Sequence, residues 1–417
     1  MSEPAQCPFH ARALPGDGTP LSPSPRLAQW RAQAAFMPLD FQDGHEGLVA
    51  TRYEAAIDVL QDPRFSMRPA RMPVGPNAAD DPAAAETSAV PLEAPGELDD
   101  AGQQSEEFNL LTLDGEEHAK LRRAVTARFS LRQARMRQPW IHEMVVAQIE
   151  ALRASGPVVD IWRDYAQPIA ARTHCHVIGV PEARYERFVE LFVGVSTAQQ
   201  KYDFIRGLIE ERRTDPGEDV ITDLLHDTDL SRVEIEGLLR LLLGAGRDSV
   251  AYLIATATVA LLTNPDQLSA LRTDPERVTG AVEEFMRTGA MFVTLFARTA
   301  REDVVIDGVP IAAGTSVAVS PVSANRDPAQ WGDRPDDVDV SRDAFGHLGF
   351  GQGIHGCIGQ QVARVEIREG IGALITAFPD LELIEAEQLS PMPFAHPVAV
   401  YEAGAVIVRL GGATTAV

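Results

Sequence analysis

The sequence predicts a mainly α-helical protein with a smaller β-rich region. Three observations lead there. Apolar residues recur at helical spacing along most of the 417 residues. One such run opens on Ser231-Arg-Val-Glu234 and closes on Thr263-Asn264-Pro265. It covers about 32 residues, roughly 50 Å of helix. Strand-like stretches are few and short: residues 47–50, Val304–Ile306 and Ser316–Val319.

In chain order, each element has a local cause. Residues 1–25 are rich in Pro and lack the basic-then-apolar pattern of a leader, so they read as a loose arm. Residues 72–117 contain no Lys or Arg and many Pro, Ala, Gly and acids, the composition of a solvated loop or a lid. The sign reverses over residues 118–138, where Lys120, Arg122, Arg123, Arg128, Arg132, Arg135 and Arg137 occur with no acid. That stretch reads as a solvated helix face or as a docking surface for an acidic protein. Ser231 and Glu234 form a capping box for the long helix. Asp274-Pro275 supplies a cap and a first-turn proline for the next helix, which carries Glu283, Glu284 and Arg287 and stops at Gly289. A last helix is expected from about Gln360 to Ala377.

The chain carries 60 acids against 37 Lys and Arg, a net charge of −23. Such a charge argues against broad affinity for nucleic acid or an anionic membrane. No run of about 18 uninterrupted apolar residues exists. The nearest, residues 241–262, contains Arg247 and Asp248. Cys7, Cys175 and Cys357 are far apart and odd in number, so they frame no disulfide set and suit a reducing cytoplasm.

The chemistry concentrates around Cys357, in Phe350-Gly-Gln-Gly-Ile-His355-Gly-Cys357-Ile-Gly359. Glycines let a backbone approach a flat ligand, and the positive end of the following helix favours a thiolate. Two plainer readings stand beside this. A lone Cys is most often a small buried hydrophobe. Gly351-x-Gly353-x-x-Gly356 also fits a dinucleotide fingerprint, which opens a βαβ unit and needs more sheet after it. In the long helix, Gly244-Ala245-Gly246-Arg247-Asp248-Ser249 is a polar interruption. Its glycines and short hydroxyl weaken the helix, and a buried Asp248 demands a partner or a task. Glu284 and Arg287 lie three apart and share a helix face.

The cysteine loop resembles the haem-binding loop of the cytochrome P450 family, Phe-Gly-x-Gly-x-His-x-Cys-x-Gly, at every defined position. Other motifs agree in order from about Gly47 to Leu410, among them Ser323-Ala-Asn325-Arg326-Asp327-Pro328 and Gly359-Gln-Gln-Val-Ala-Arg364-Val-Glu366. The resemblance implies one mainly helical P450 domain over residues 26–417, with residues 66–110 as a flexible segment covering the substrate. It implies haem b (iron protoporphyrin IX) buried between the long central helix and the cysteine loop, with Cys357 as axial iron ligand. Asp248 and Ser249 match the acid and alcohol of Ala-Gly-x-Asp/Glu-Thr, which pass protons to O2. Ser249 stands where the family has threonine; it keeps the hydroxyl but lacks the methyl that restricts the rotamer.

Further roles follow from the same likeness. His118 and Arg122, spaced i and i+4 on one helix face, match partners of the haem propionates, as do Arg298 and His355. Two buried carboxylates need such cations or donors. Glu284, Arg287 and Arg342 match a structural Glu-x-x-Arg and Arg set. Leu243, Gly244, Ala245, Phe292, Val293, Thr294, Leu295 and Phe394 match the substrate pocket and are mostly apolar. The proline usual after the Glu-x-x-Arg helix is missing from Gly289-Ala-Met-Phe-Val-Thr.

The activity implied is that of a bacterial-type monooxygenase of secondary metabolism, inserting one atom of O2 into a small, largely apolar molecule. Terpenoids, polyketides, fatty acids and aromatics all suit. Ferredoxin-type C-x4-C spacing is absent, so electrons from NAD(P)H are expected through a separate ferredoxin and ferredoxin reductase. The expected protein is a cytoplasmic monomer with no membrane span and no nucleic-acid partner. A peroxygenase or other non-monooxygenase P450, and a haem-binding sensor, are the alternatives; Asp248 with Ser249 favours O2 use.

Overall fold

The computed structural model describes residues 12–41, 45–68, 94–388, 399–401 and 403–411. Seven helices position the residues of interest, in chain order: α1 Gly115–Thr126, α2 Leu131–Ala154, α3 Gln167–Ile178, α4 Arg232–Ala245, α5 Arg247–Thr263, α6 Val278–Thr288 and α7 Gln360–Ala377. The chain divides into two compact units. One comprises Met1–Ala89, Glu283–Cys357 and Gln388–Gly404; the other comprises Val90–Val282, Ile358–Glu387 and Ala405–Val417.

The first unit is built on a five-stranded sheet in the order Phe36–Asp40, Glu46–Ala50, Ser316–Val319, Arg298–Ala300, Phe65–Ser66. Val and Ala dominate Ser316–Val319, which is buried throughout, as suits a central strand packed on both faces. Val304–Ile306 pairs with Val309–Ile311 across Asp307-Gly308, both at positive φ, the turn chemistry of a tight hairpin. All three expected strands are therefore present. Phe36, Val59, Leu60, Phe65, Ile306, Val317 and Val319 form a core that also takes in Leu348. Leu348 anchors the chain just ahead of the cysteine loop. Within residues 12–25, Leu14 is buried and the Pro20 carbonyl accepts from Arg326 (3.1 Å).

The second unit packs α2, α3, α5 and α7 together with shorter helices. Helix α5 is apolar on all sides and buried from Val250 to Leu261, as such a helix must be. The Tyr165 hydroxyl donates to the Gly370 carbonyl of α7 (2.7 Å), and a Cβ at Gly370 would stand 3.1 Å from Ile254 Cδ1 of α5. The capping box forms: Ser231 N–H donates to Glu234 Oε2 (2.7 Å). The expected single long helix is instead two, α4 and α5, divided at Gly246. Asp274 sits at its cap position, but its carboxylate takes Arg277 Nε (3.0 Å) and the first turn is tighter than α. Helix α6 ends as expected, with Gly289 N–H on the Phe285 carbonyl (2.8 Å).

Of the segment 66–110, residues 69–93 lie outside the described residues, as do Cys7 and Phe394. The described part is tied down. Ala94 N–H bonds the Ser196 carbonyl (2.9 Å), and Arg206 grips Asp99 through two nitrogens (2.6 and 3.0 Å) while reaching Glu236 (3.0 Å). Helix Asp100–Glu106 presses on α4 where any Cβ at Gly237 would overlap the Ser105 carbonyl. Among the described residues, no helix is long and apolar enough to cross a membrane.

Candidate functional site

Cys357 ends a loop with little freedom. Gly351 (φ 65°) and Gly353 (φ 75°) occupy the left-handed region, and a Cβ at Gly353 would meet the Leu60 carbonyl at 2.5 Å. Cys357 N–H donates to the Phe350 carbonyl (2.8 Å), which closes the loop on itself. The thiol is exposed. Cys175 is the contrast: it is buried, and burial pushes its thiol up to about 12. Of these two, only Cys357 can present a thiolate to a ligand.

The loop is pinned from behind by a buried network. Glu284 and Arg287, both 0% exposed, join through two 2.7 Å bonds from the guanidinium. Glu284 Oε1 also accepts from Asp339 N–H (2.9 Å) and, more distantly, from Arg342 Nε (3.4 Å). Asn325 links this cluster to the loop. Its amide donates to the Arg287 carbonyl (3.2 Å), and its Oδ1 accepts from Leu348 N–H (2.7 Å). A second pin is His347, whose Nδ1 accepts from Gly349 N–H (3.0 Å) while Nε2 faces Glu283 (3.1 Å). Those two bonds place the proton on Nε2. The sequence signal for Asn325 lay in the stretch 323–328, but its task is visible only with its partners.

The same unit places Arg298 on a sheet strand, nearly buried, with Nη1 donating to the Phe296 carbonyl (3.0 Å). His355 lies in the turn before Cys357. Val293 and Thr294 are buried, while Phe292 and Leu295 are partly exposed. Strand Phe292–Thr294 pairs with Ala399–Val400.

In the second unit, α1 carries a buried His118 with Arg122 one turn on. Burial first, and then the Arg122 charge, hold the His118 pKa below the usual value. At the junction of α4 and α5, Leu243 is enclosed while Gly244 and Ala245 are exposed. Asp248 is 40% exposed at its side chain and accepts from Arg247 Nη2 (2.7 Å); Arg247 is only 8% exposed. Burial raises the Asp248 carboxyl more than Arg247 lowers it. Among the described residues, Ser249 Oγ donates to the Ala245 carbonyl alone, at 3.5 Å. Glu366, on the apolar face of α7, is buried, and that burial pushes its pKa well up against a partial offset from Thr173.

The basic stretch needs correction as a docking surface. Lys120 pairs with Glu234, and Arg128 pairs with Asp223 through Nε (2.6 Å) and a second nitrogen. Arg137 is buried and donates to the Arg128 carbonyl (3.2 Å). Those three cations hold the unit together. Arg123, Arg132 and Arg135 are exposed, beside Leu131 (46%) and Met136 (60%).

Comparison with known proteins adds a second line. The profile of the cytochrome P450 family matches residues 170–401. Cytochrome P450 105C1 of a Streptomyces species is 33% identical over 393 residues, covering 91% of this chain and 93% of that protein. The 6-deoxyerythronolide B hydroxylase of Saccharopolyspora erythraea is 34% identical over 382 residues, covering 87% and 90%. The vitamin D(3) 25-hydroxylase of Pseudonocardia autotrophica is 33% identical over 377 residues, covering 87% and 88%. Among solved structures, the Streptomyces peucetius CYP105P2 complex with a biphenyl compound matches with a TM-score of 0.80 at 29% identity, covering 95% and 99%.

Proposed function

Given that this chain belongs to the cytochrome P450 family of haem-dependent monooxygenases, we propose that Cys357 ligates its iron, that a separate ferredoxin feeds it electrons, and that its substrate is a small, largely apolar organic molecule. The observation that carries the first point is the exposed thiol on a self-closed, doubly pinned loop. A ligand that must hold one position on a metal needs such a support.

The residues fit a haem. Gly351 and Gly353 let the loop take its left-handed turns, and the loop presents one exposed thiol, Cys357. By the family likeness, Arg298, His355, His118 and Arg122 are each assigned to meet a haem propionate with a donor or positive charge. When bound, haem b supplies O2 reduction and transfer of one oxygen atom to substrate, the second leaving as water. The chain's own part is to orient the substrate and meter protons. Asp248, whose carboxyl burial raises against the opposing pull of Arg247, and Ser249 Oγ beside it are the groups assigned to pass protons.

Phe292 and Leu295, partly exposed in the unit that carries the cysteine loop, offer apolar surface that suits an apolar substrate. Two relatives are named as hydroxylases of 6-deoxyerythronolide B and of vitamin D3. Exposed Arg123, Arg132 and Arg135, interleaved with Leu131 and Met136, suit an acidic iron–sulfur protein. The test is turnover of spectrally selected compounds with a ferredoxin, its reductase and isotopically labelled O2. One labelled oxygen in the product is expected. Turnover with peroxide alone, and none with O2 and reductant, would contradict the proposal.

A further inference from the structure

His174 belongs to no motif of the family resemblance, and the proton-carrying roles of Asp248 and Ser249 do not involve it. It lies on α3, yet its ring fills the gap between α4 and α5. A Cβ at Gly246 would overlap His174 Nδ1 and stand 2.5 Å from Cε1. The carbonyls of Leu242 and Leu243 lie within hydrogen-bonding reach of the ring. In an unbroken helix those carbonyls would accept from Gly246 and Arg247 N–H. A side chain inserted into that ladder is a known cause of a helix break. Among the described residues Nε2 meets no hydrogen-bond partner, and the ring engages the helix through its other edge.

The surroundings suit an uncharged ring. Burial pushes the His174 pKa down to about 4, and the neighbouring Arg247 charge acts in the same direction. Arg247 is the first residue past the break, and its guanidinium holds Asp248. Where α5 leaves the break therefore decides where Asp248 and Ser249 stand.

We propose that His174 is a positioning residue: its ring wedges the helix open at Gly246 and so sets the placement of Arg247, Asp248 and Ser249. The proposal rests on the roles given above to Asp248 and Ser249. It also accounts for glycine at 246, since no other residue leaves room for the ring.

The test uses holoprotein carrying His174→Ala, Gly246→Ala, both changes, or His174→Asn. Gly246→Ala alone is expected to lower the melting midpoint by several degrees, or to yield no holoprotein, because Cβ and ring compete for one space. In the His174→Ala background the same change is expected to be neutral or stabilising, since alanine is the better helix former. Strictly additive shifts would overturn the wedge. In turnover, His174→Ala should send several-fold more reducing equivalents to hydrogen peroxide with KM little changed. His174→Asn, which keeps a donor at that edge, should restore the coupling. Unchanged product per NAD(P)H in His174→Ala would overturn the positioning role, even in a protein that melts lower. Wild-type protein lacking a thiolate-type carbonyl spectrum would instead sink the haem assignment, while the melting cycle would still decide the wedge.

Discussion

Among the described residues, Ser249 Oγ makes one hydrogen bond, to the Ala245 carbonyl at 3.5 Å, the outer limit of such a bond. A serine so placed samples rotamers that a β-branched residue would not. We expect Ser249→Ala to divert electrons to hydrogen peroxide several-fold, and Ser249→Thr to couple better than wild type. Peroxide formed per NAD(P)H measures both; equal yields in all three proteins would remove Ser249 from proton delivery. Glu284 makes the opposite case. It is wholly buried and holds Arg287 at 2.7 Å, with Arg342 beyond. Glu284→Ala leaves the buried Arg287 charge without its carboxylate and should cost about 3–5 kcal/mol. Denaturant unfolding of the holoprotein tests this, and a loss under about 1 kcal/mol would contradict the bracing role. The Glu284 and Arg287 pairing was legible from spacing and family order. Asn325 as the link to Leu348 was not, because its two partners come from different stretches of chain.

At the scale of elements, charge counts along a sequence mislead where partners are distant. Seven cations in residues 118–138 looked like one face, but Lys120 and Arg128 answer Glu234 and Asp223, about a hundred residues on. The exposed remainder is Arg123, Arg132 and Arg135 on α1 and α2. Reversing these three to Glu should slow the first electron transfer about tenfold or more at low salt and flatten its salt dependence. Stopped-flow reduction by ferredoxin reads it out, and an unchanged rate at low salt would exclude this face. Arg128→Glu would not test docking, since it breaks a largely buried pair. Helix boundaries were more legible. The capping box at Ser231, the stop at Gly289 and the helix Gln360–Ala377 depend on neighbours in sequence. The break at Gly246 was only hinted at by glycines, because the ring beside it arrives from another helix.

For the whole molecule, buried ionisable groups set how stability varies with pH. Glu366 has its carboxyl pKa raised by burial, so the folded state keeps a proton that the unfolded chain releases. Its contribution therefore falls as pH climbs above the ordinary glutamate range of about 4.3, at up to about 1.4 kcal/mol per pH unit until the raised pKa is reached. His174 works from the other side. Its pKa is lowered to about 4, so stability is lost as pH falls through the ordinary histidine value near 6.5. Glu366→Gln should stabilise the holoprotein at neutral pH, with the gain vanishing toward pH 4. Melting across that range decides it, and a gain independent of pH would show that packing, not titration, is responsible. Neither group was legible as titratable-and-buried in sequence, since burial belongs to the assembled core.

All of these expectations assume a thiolate–iron bond at position 357. The most direct measurement is the absorption spectrum of reduced, carbon monoxide-treated protein, wild type beside Cys357→Ser and Cys357→Ala. Thiolate ligation at Cys357 predicts the strongly red-shifted Soret band in wild type and its loss in both variants. An ordinary Soret position in wild type, or the same shifted band in the variants, would contradict it.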